Sequence, residues 1–184
     1  LYLCTMRKLN MQELNRLSPE DFREAAKNPV IVILDHIRSM HNVGSVFRTA
    51  DAFLVEAIYL CGYTPQPPHR DIHKTALGAT ETVAWQYFAT TEAAVAAARN
   101  RNYSVWAVEQ TNASIPLQQM PAAEQGLALI FGNEVEGVKD ATLLLCDGSI
   151  EIPQWGMKHS LNVSIAAGIV LWEITRNQLS LSAE

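Results

Sequence analysis

The run Val30-Ile31-Val32-Ile33-Leu34 constrains this chain more than any other feature. It is too short for a helix and lacks the alternation of a strand with one wet face, so it reads as a strand buried on both faces. Strands of that kind belong to parallel sheets covered by helices, because parallel pairing demands a crossover between neighbours. The rest of the chain continues the pattern. Further strands are expected at 57–60, 82–88, 103–108, 127–131 and 149–152. Helices are expected at 43–54, with Val43, Val46, Phe47, Ala50, Phe53 and Leu54 on one stripe, at 91–100, capped by Thr91, and from Ser160 to about Arg176. Six strands interleaved with helices predict a Rossmann-like α/β fold, a mostly parallel six-stranded sheet with helices on both faces.

Residues 1–28 read as a short helical extension and 29–184 as the main domain. Ser18 is placed as an N-cap, Pro19 at the first helical position, and Glu20 and Asp21 beside the positive end of the dipole. Hydrophobic residues make up 48% of the 184 and charged residues 18%, which supports one well-formed core and excludes a disordered chain. The longest apolar run, 165–172, is far below the ~20 residues that span a bilayer. No leader peptide is legible, and Cys4, Cys61 and Cys146 form neither a CxxC pair nor a disulfide framework, so a cytoplasmic protein without a membrane role is expected. The net charge of −5 argues against coating nucleic acid by bulk charge but leaves room for a local basic site.

In folds of this class ligands sit at the carboxyl ends of the strands, and three stretches lie there. The first joins the strand at 30–34 to the following helix. Asn42 suits the N-cap role, and Gly44 clears space on the face that carries Arg48 four residues on. Arg48 either pairs with Asp51 on a solvated face or presents its planar fork to a phosphate. The second, Gly132-Asn133-Glu134-Val135-Glu136-Gly137, has glycines at phosphate-loop spacing, but no Lys-Ser/Thr and no GxGxxG follows. Its acids would repel a polyphosphate, so a triphosphate or dinucleotide is disfavoured and a phosphate-free ligand with a positive centre is tolerated. A simple glycine turn with solvated acids remains the alternative. In the third, Ile152-Pro153 closes a strand, a loop carries Trp155, Lys158 and His159, and Ser160-Leu161-Asn162-Val163-Ser164 crowds small polar residues into a helix start. That crowding fits either an over-determined cap or exposed N–H groups facing a ligand.

Together the three stretches, Asn42-x-Gly44-x-x-x-Arg48-Thr49-Ala50, Phe131-Gly132-Asn133-Glu134-x-x-Gly137, and Ile152-Pro153 followed by Ser160-Leu161-Asn162-Val163-Ser164, resemble the motifs of the SpoU (TrmH-like) RNA 2′-O-ribose methyltransferases of the SPOUT superfamily. The resemblance covers residues 29 to about 178. It implies a C-terminal deep trefoil knot, a homodimer with the site near the subunit interface, and transfer of a methyl group from S-adenosylmethionine to a ribose 2′-hydroxyl of tRNA or rRNA. It places Val108, Gly132, Ile152, Ser160 and Leu161 around the cofactor, and Arg48, Asn42, Glu134, Ser160 and Asn162 in the catalytic constellation. A guanidinium is a poor base, so stabilising a developing alkoxide suits Arg48 better than taking a proton. Gln154 departs from the apolar residue many members carry after the proline. For RNA contacts the local basic groups Arg38, His41, Arg70, Lys74 and Lys158 are the candidates, with Trp155 beside them. No metal is expected: His69 and His73 are four residues apart, but no HExxH or cysteine pair accompanies them. The competing readings are a knotted RNA- or partner-binding module without transferase activity, and a SPOUT enzyme that methylates a base.

Overall fold

The computed structural model describes residues 6–10, 12–14, 16–121 and 125–181, with side chains through Arg176. Cys4 lies outside them, and Cys61 and Cys146 are free thiols. Among the described residues seven strands, β1 (Asn28–Asp35), β2 (Val55–Cys61), β3 (Ala84–Phe88), β4 (Ser104–Val108), β5 (Ile115–Pro116), β6 (Leu127–Phe131) and β7 (Gly148–Glu151), form one sheet in the order β3-β2-β1-β6-β4-β7-β5. Every neighbouring pair runs parallel. The helices are α1 (Pro19–Glu24), α2 (Met40–Ala52), α3 (Arg70–Ala76), α4 (Ala79–Thr82), α5 (Thr91–Arg99), α6 (Asp140–Leu143) and α7 (Val163–Leu181). No helix among the described residues is long and apolar enough to cross a membrane.

The continuous apolar run of β1 is explained by two cores. Val30, Val32 and Leu34 face one built with Val43, Val46 and Phe47 of α2 and Ala167, Val170 and Leu171 of α7. Ile31 and Ile33 face the other, with Ala94, Val95 and Ala98 of α5. Each fully buried side chain of this size contributes about 1.5–3 kcal/mol, so β1 is firmly anchored on both faces of the sheet. Phe22 of α1 is buried in the first core as well, which ties α1 to the sheet.

Several boundaries differ from expectation, each for a local reason. The strand expected at 82–88 starts at Ala84, because α4 takes Thr82 and turns its hydroxyl to Asp51 at 2.7 Å. α5 is capped by Thr90, whose Oγ1 accepts from the N–H of Ala93, so Thr91 is free to donate to the buried Asp35 at 2.5 Å. α2 starts three residues early, with Ser39 rather than Asn42 as its cap. α7 starts at Val163, and Ser160 and Leu161 stay in the preceding loop. Asn162 caps it: its carbonyl accepts from Ala166 N–H at 2.9 Å and its side chain from Ser164 N–H at 2.9 Å. The seventh strand, β5, adds to the six expected. At two residues it carries no periodicity, and its Pro116 suits an edge position. Gly44 does not make room for Arg48. A Cβ there would lie 2.1 Å from Thr75 Oγ1 and 2.3 Å from the Ile72 carbonyl oxygen, so its absence lets α2 and α3 touch.

One topological step positions everything that follows. The chain lays down β4, then β5, then β6 on the opposite side of β4, and finally inserts β7 between β4 and β5. The carboxyl ends of β4, β6 and β7 therefore come to lie side by side.

Candidate active site

The loops leaving β4, β6 and β7 and the start of α7 enclose a cavity of about 650 Å³. All five residues expected around the cofactor, Val108, Gly132, Ile152, Ser160 and Leu161, line it. Glu134 and Asn162 line it too. Its shape depends on a backbone crossing at Gly132, where a Cβ would lie 2.2 Å from the carbonyl carbon of Gly137 and 2.3 Å from the nitrogen of Val138. The loop that returns to that crossing is closed on itself. Asn133 and Gly137 exchange two backbone hydrogen bonds at 2.9 and 3.1 Å, and Asn133 Oδ1 accepts from Val135 N–H at 2.7 Å and Glu136 N–H at 3.1 Å.

The three motifs meet at the mouth through one hydrogen-bond chain. Asn162 Nδ2 donates to Asn42 Oδ1 at 3.1 Å, and Asn42 Nδ2 donates to Glu134 Oε1 at 2.9 Å. Glu134 also accepts the backbone N–H groups of Arg38 at 2.9 Å and Ser39 at 3.1 Å. Because α2 is capped by Ser39, the side chain of Asn42 is available for this bridge. Partial burial works against the Glu134 carboxylate, but the N–H of Arg38, the Asn42 amide and the N–H of Ser39 together outweigh it and hold its pKa below the ordinary value. A folded-state pKa below the unfolded one means stabilisation that is complete above the ordinary carboxyl value of 4.5 and lost as pH falls through the folded value. The difference in melting temperature between the parent chain and Glu134→Gln is expected to be largest near neutral pH and to shrink as pH falls below about 4.5. A difference that held constant into strong acid would show that the carboxylate charge is not what the loops require.

The expected RNA-facing groups lie outside the cavity. Arg38, His41, Arg70, Lys74 and Lys158 are exposed and none of them lines it, and Arg48, expected in the catalytic constellation, is likewise exposed and outside it. Arg48 makes no ion pair or hydrogen bond among the described residues, and its alternative partner Asp51 is taken by Thr82. Lys74 is engaged by Asp71 at 2.6 Å, which lowers the pKa of that carboxyl. His69 caps α3, accepting from Asp71 N–H at 3.2 Å. No group of three or more His, Cys, Asp or Glu side chains among the described residues is placed to hold a metal.

Two residues of the site belong to none of the three motifs. Glu109, directly after β4, accepts Val138 N–H through Oε2 at 2.9 Å and so braces the Gly132 crossing. Gln110 donates through Nε2 to the carbonyl of His159 at 2.8 Å and tethers the third loop. The signal that marks them is position, since polar residues immediately after any strand of a parallel sheet face the ligand edge.

The sequence matches the SpoU rRNA Methylase family over residues 29–172. It is 32% identical over 169 residues to a 23S rRNA (guanosine-2′-O-)-methyltransferase RlmB of Pasteurella multocida, covering 92% of this chain and 69% of that protein. Among solved structures it resembles the A. aeolicus TrmH/SpoU tRNA modifying enzyme, with TM-score 0.79 and 25% identity over 89% of this chain and 84% of that one. It also resembles an AdoMet-bound rRNA methyltransferase from Sinorhizobium meliloti, with TM-score 0.77 and 29% identity over 88% of this chain and 61% of that one. The chain belongs to the SpoU rRNA methylase family.

Proposed function

We propose that this protein transfers the methyl group of S-adenosylmethionine to the 2′-hydroxyl of a guanosine in 23S ribosomal RNA. The reaction class rests on family membership, and the choice of RNA and base on the named activity of relatives such as the Pasteurella multocida protein. The observation that carries the site assignment is the bridge Asn162–Asn42–Glu134, which joins all three motifs at the mouth of one cavity.

The cavity fits the cofactor chemically. Its volume falls in the range of small-molecule sites, and Glu109, Glu134, Glu136 and Glu151 line it without a lysine or arginine, which suits a ligand bearing a sulfonium and no phosphate. S-Adenosylmethionine supplies a methyl group already activated by its positive sulfur, so the displacement requires no metal. The residues have the harder task, because a ribose hydroxyl is a weak nucleophile until its proton leaves. Val108, Gly132, Ile152 and Leu161 shape the cofactor site, and Ser160 and Asn162 hold the entrance to α7. Asn42 and Glu134 keep α2 in register with that entrance. Arg48 stabilises the negative charge that develops on the ribose oxygen, with an RNA phosphate as its second partner. Arg38, His41, Arg70, Lys74 and Lys158 form the surrounding RNA contacts.

Arg48 lies outside the cavity of its own chain, and the proposal includes a homodimer with the site near the subunit interface. Supporting this homodimer, Ile165, Ile169 and Trp172 follow helical spacing along α7 and stay 55%, 37% and 54% exposed. The threading of β7 between two strands laid down earlier supports the deep trefoil knot in this region. The proposed setting is the cytoplasm, where ribosomal RNA is available. Calorimetric titration with S-adenosylhomocysteine tests the assignment without a substrate RNA. Saturable binding near one site per subunit is expected, and a folded dimer that binds none would remove the enzyme reading.

A further inference from the structure

A second cavity, of about 530 Å³, lies beside the first and is lined by Arg38, Tyr63, Asn133, Val135 and Glu136. Asn133, Val135 and Glu136 line both cavities, so this loop is the wall between them. The aromatic ring of Tyr63 is held from two sides. Its hydroxyl accepts a hydrogen bond from Asn133 Nδ2, which also donates to the His36 carbonyl at 2.8 Å, and its ring meets the His36 ring edge-on with centroids 4.7 Å apart. Tyr63 is nonetheless 56% exposed and Val135 72% exposed. The ring is thus a fixed aromatic surface open to a ligand. Arg38 and Glu136 supply a cation and a carboxylate within the same small space, and neither side chain makes a hydrogen bond or ion pair among the described residues.

From these features we propose that the second cavity receives the unstacked base of the nucleotide being methylated, and that Glu136 selects guanine. The inference rests on the RNA methyltransferase reading given above. Single-stranded bases are recognised by stacking on aromatic rings and by hydrogen bonds to their Watson–Crick edges, and an enzyme acting on one nucleotide gains access by turning it out of the stack. The Tyr63 ring and the Val135 methyl groups provide the apolar surface for such a base. Guanine alone among the four bases presents adjacent N1–H and N2–H donors on that edge, and the two oxygens of the Glu136 carboxylate can accept both. Uracil and adenine offer one donor beside an acceptor, which would face a carboxylate oxygen unfavourably. The Arg38 guanidinium offsets the acids and takes a flanking phosphate. With the base in the second cavity, its own ribose falls at the dividing wall, next to the mouth of the first.

The test uses oligouridylates with one central guanosine, or inosine in its place, titrated by fluorescence anisotropy against the full chain saturated with S-adenosylhomocysteine. Inosine lacks the N2 amino group and so removes one of the two proposed bonds. The parent chain is expected to bind the guanosine oligomer about tenfold more tightly than the inosine oligomer. Glu136→Gln is expected to bring that ratio close to one. Tyr63→Ala is expected to weaken both oligomers about tenfold, while Tyr63→Phe, which keeps the ring, retains most of the affinity. Equal binding of the two oligomers by the parent chain, or unchanged binding by Tyr63→Ala, overturns the assignment. If the chain binds no S-adenosylhomocysteine yet still discriminates the oligomers in its absence, the methyl-transfer reading fails and the base site stands.

Discussion

Replacing Arg48 with alanine is expected to slow methyl transfer by about 10²–10³-fold while S-adenosylhomocysteine binds within about twofold of the parent affinity. The expectation follows from where the side chain is. Arg48 is exposed on α2, makes no ion pair or hydrogen bond among the described residues, and does not line the cofactor cavity. Removing it leaves no buried partner unsatisfied, so stability should change by no more than about 0.5 kcal/mol. What is lost is a cation placed where charge develops only during the reaction, and such groups affect rate without affecting binding of the ground state. Arg48→Lys should recover little, because an ammonium cannot engage an oxyanion and a phosphate with one planar fork. Single-turnover transfer, calorimetry and thermal melting on the same preparations decide the matter. A variant that melts early and loses the cofactor would make Arg48 a structural residue, and one that transfers normally would remove it from the mechanism.

Gly132→Ala should have the larger effect on the folded state. Its Cβ would be driven to within 2.2–2.5 Å of three backbone atoms of Gly137 and Val138, and no rotamer change can relieve a clash with backbone. The loop must open, breaking the Glu109 brace on Val138 N–H and the paired hydrogen bonds between Asn133 and Gly137. A loss of about 3 kcal/mol or more in chemical denaturation is expected, together with loss of cofactor binding. Gly156→Ala is the matched control. Nothing lies within 4 Å of a Cβ at Gly156, and that variant should stay within about 0.5 kcal/mol of the parent. Similar behaviour of the two variants would mean that the crossing at Gly132 does not shape the site.

The three stretches of this site are legible in the sequence because they stand at positions that a parallel sheet reserves for ligands, while the roles of single residues within them come from the family resemblance. Glu134 follows β6 and Asn162 precedes α7, so their spacing in the sequence maps directly onto one edge of the sheet. The assignments that fail are choices among chemically equivalent neighbours. Ser39 and Asn42 are both good caps, as are Thr90 and Thr91, and in each pair the residue freed from capping turns to a tertiary partner the local sequence cannot reveal. Gly44 reads naturally against its own helix, yet its true neighbour is α3, which begins only at Arg70. Glu109 and Gln110 follow the same strand-end rule as Glu134, but with no glycine beside them they carry no local mark. β5 leaves no trace because two residues cannot show a period.

The bridge between Asn42, Glu134 and Asn162 joins residues up to 120 positions apart. A nascent chain that has emerged through β6 already carries Arg38 and Arg48, two of the side chains proposed to meet RNA. The wall of the cavity formed by β7 and the start of α7 is made last, so no cofactor can be held until they have left the exit tunnel. During synthesis the proposed RNA-facing side chains are therefore in place before the cavity that methyl transfer requires can close.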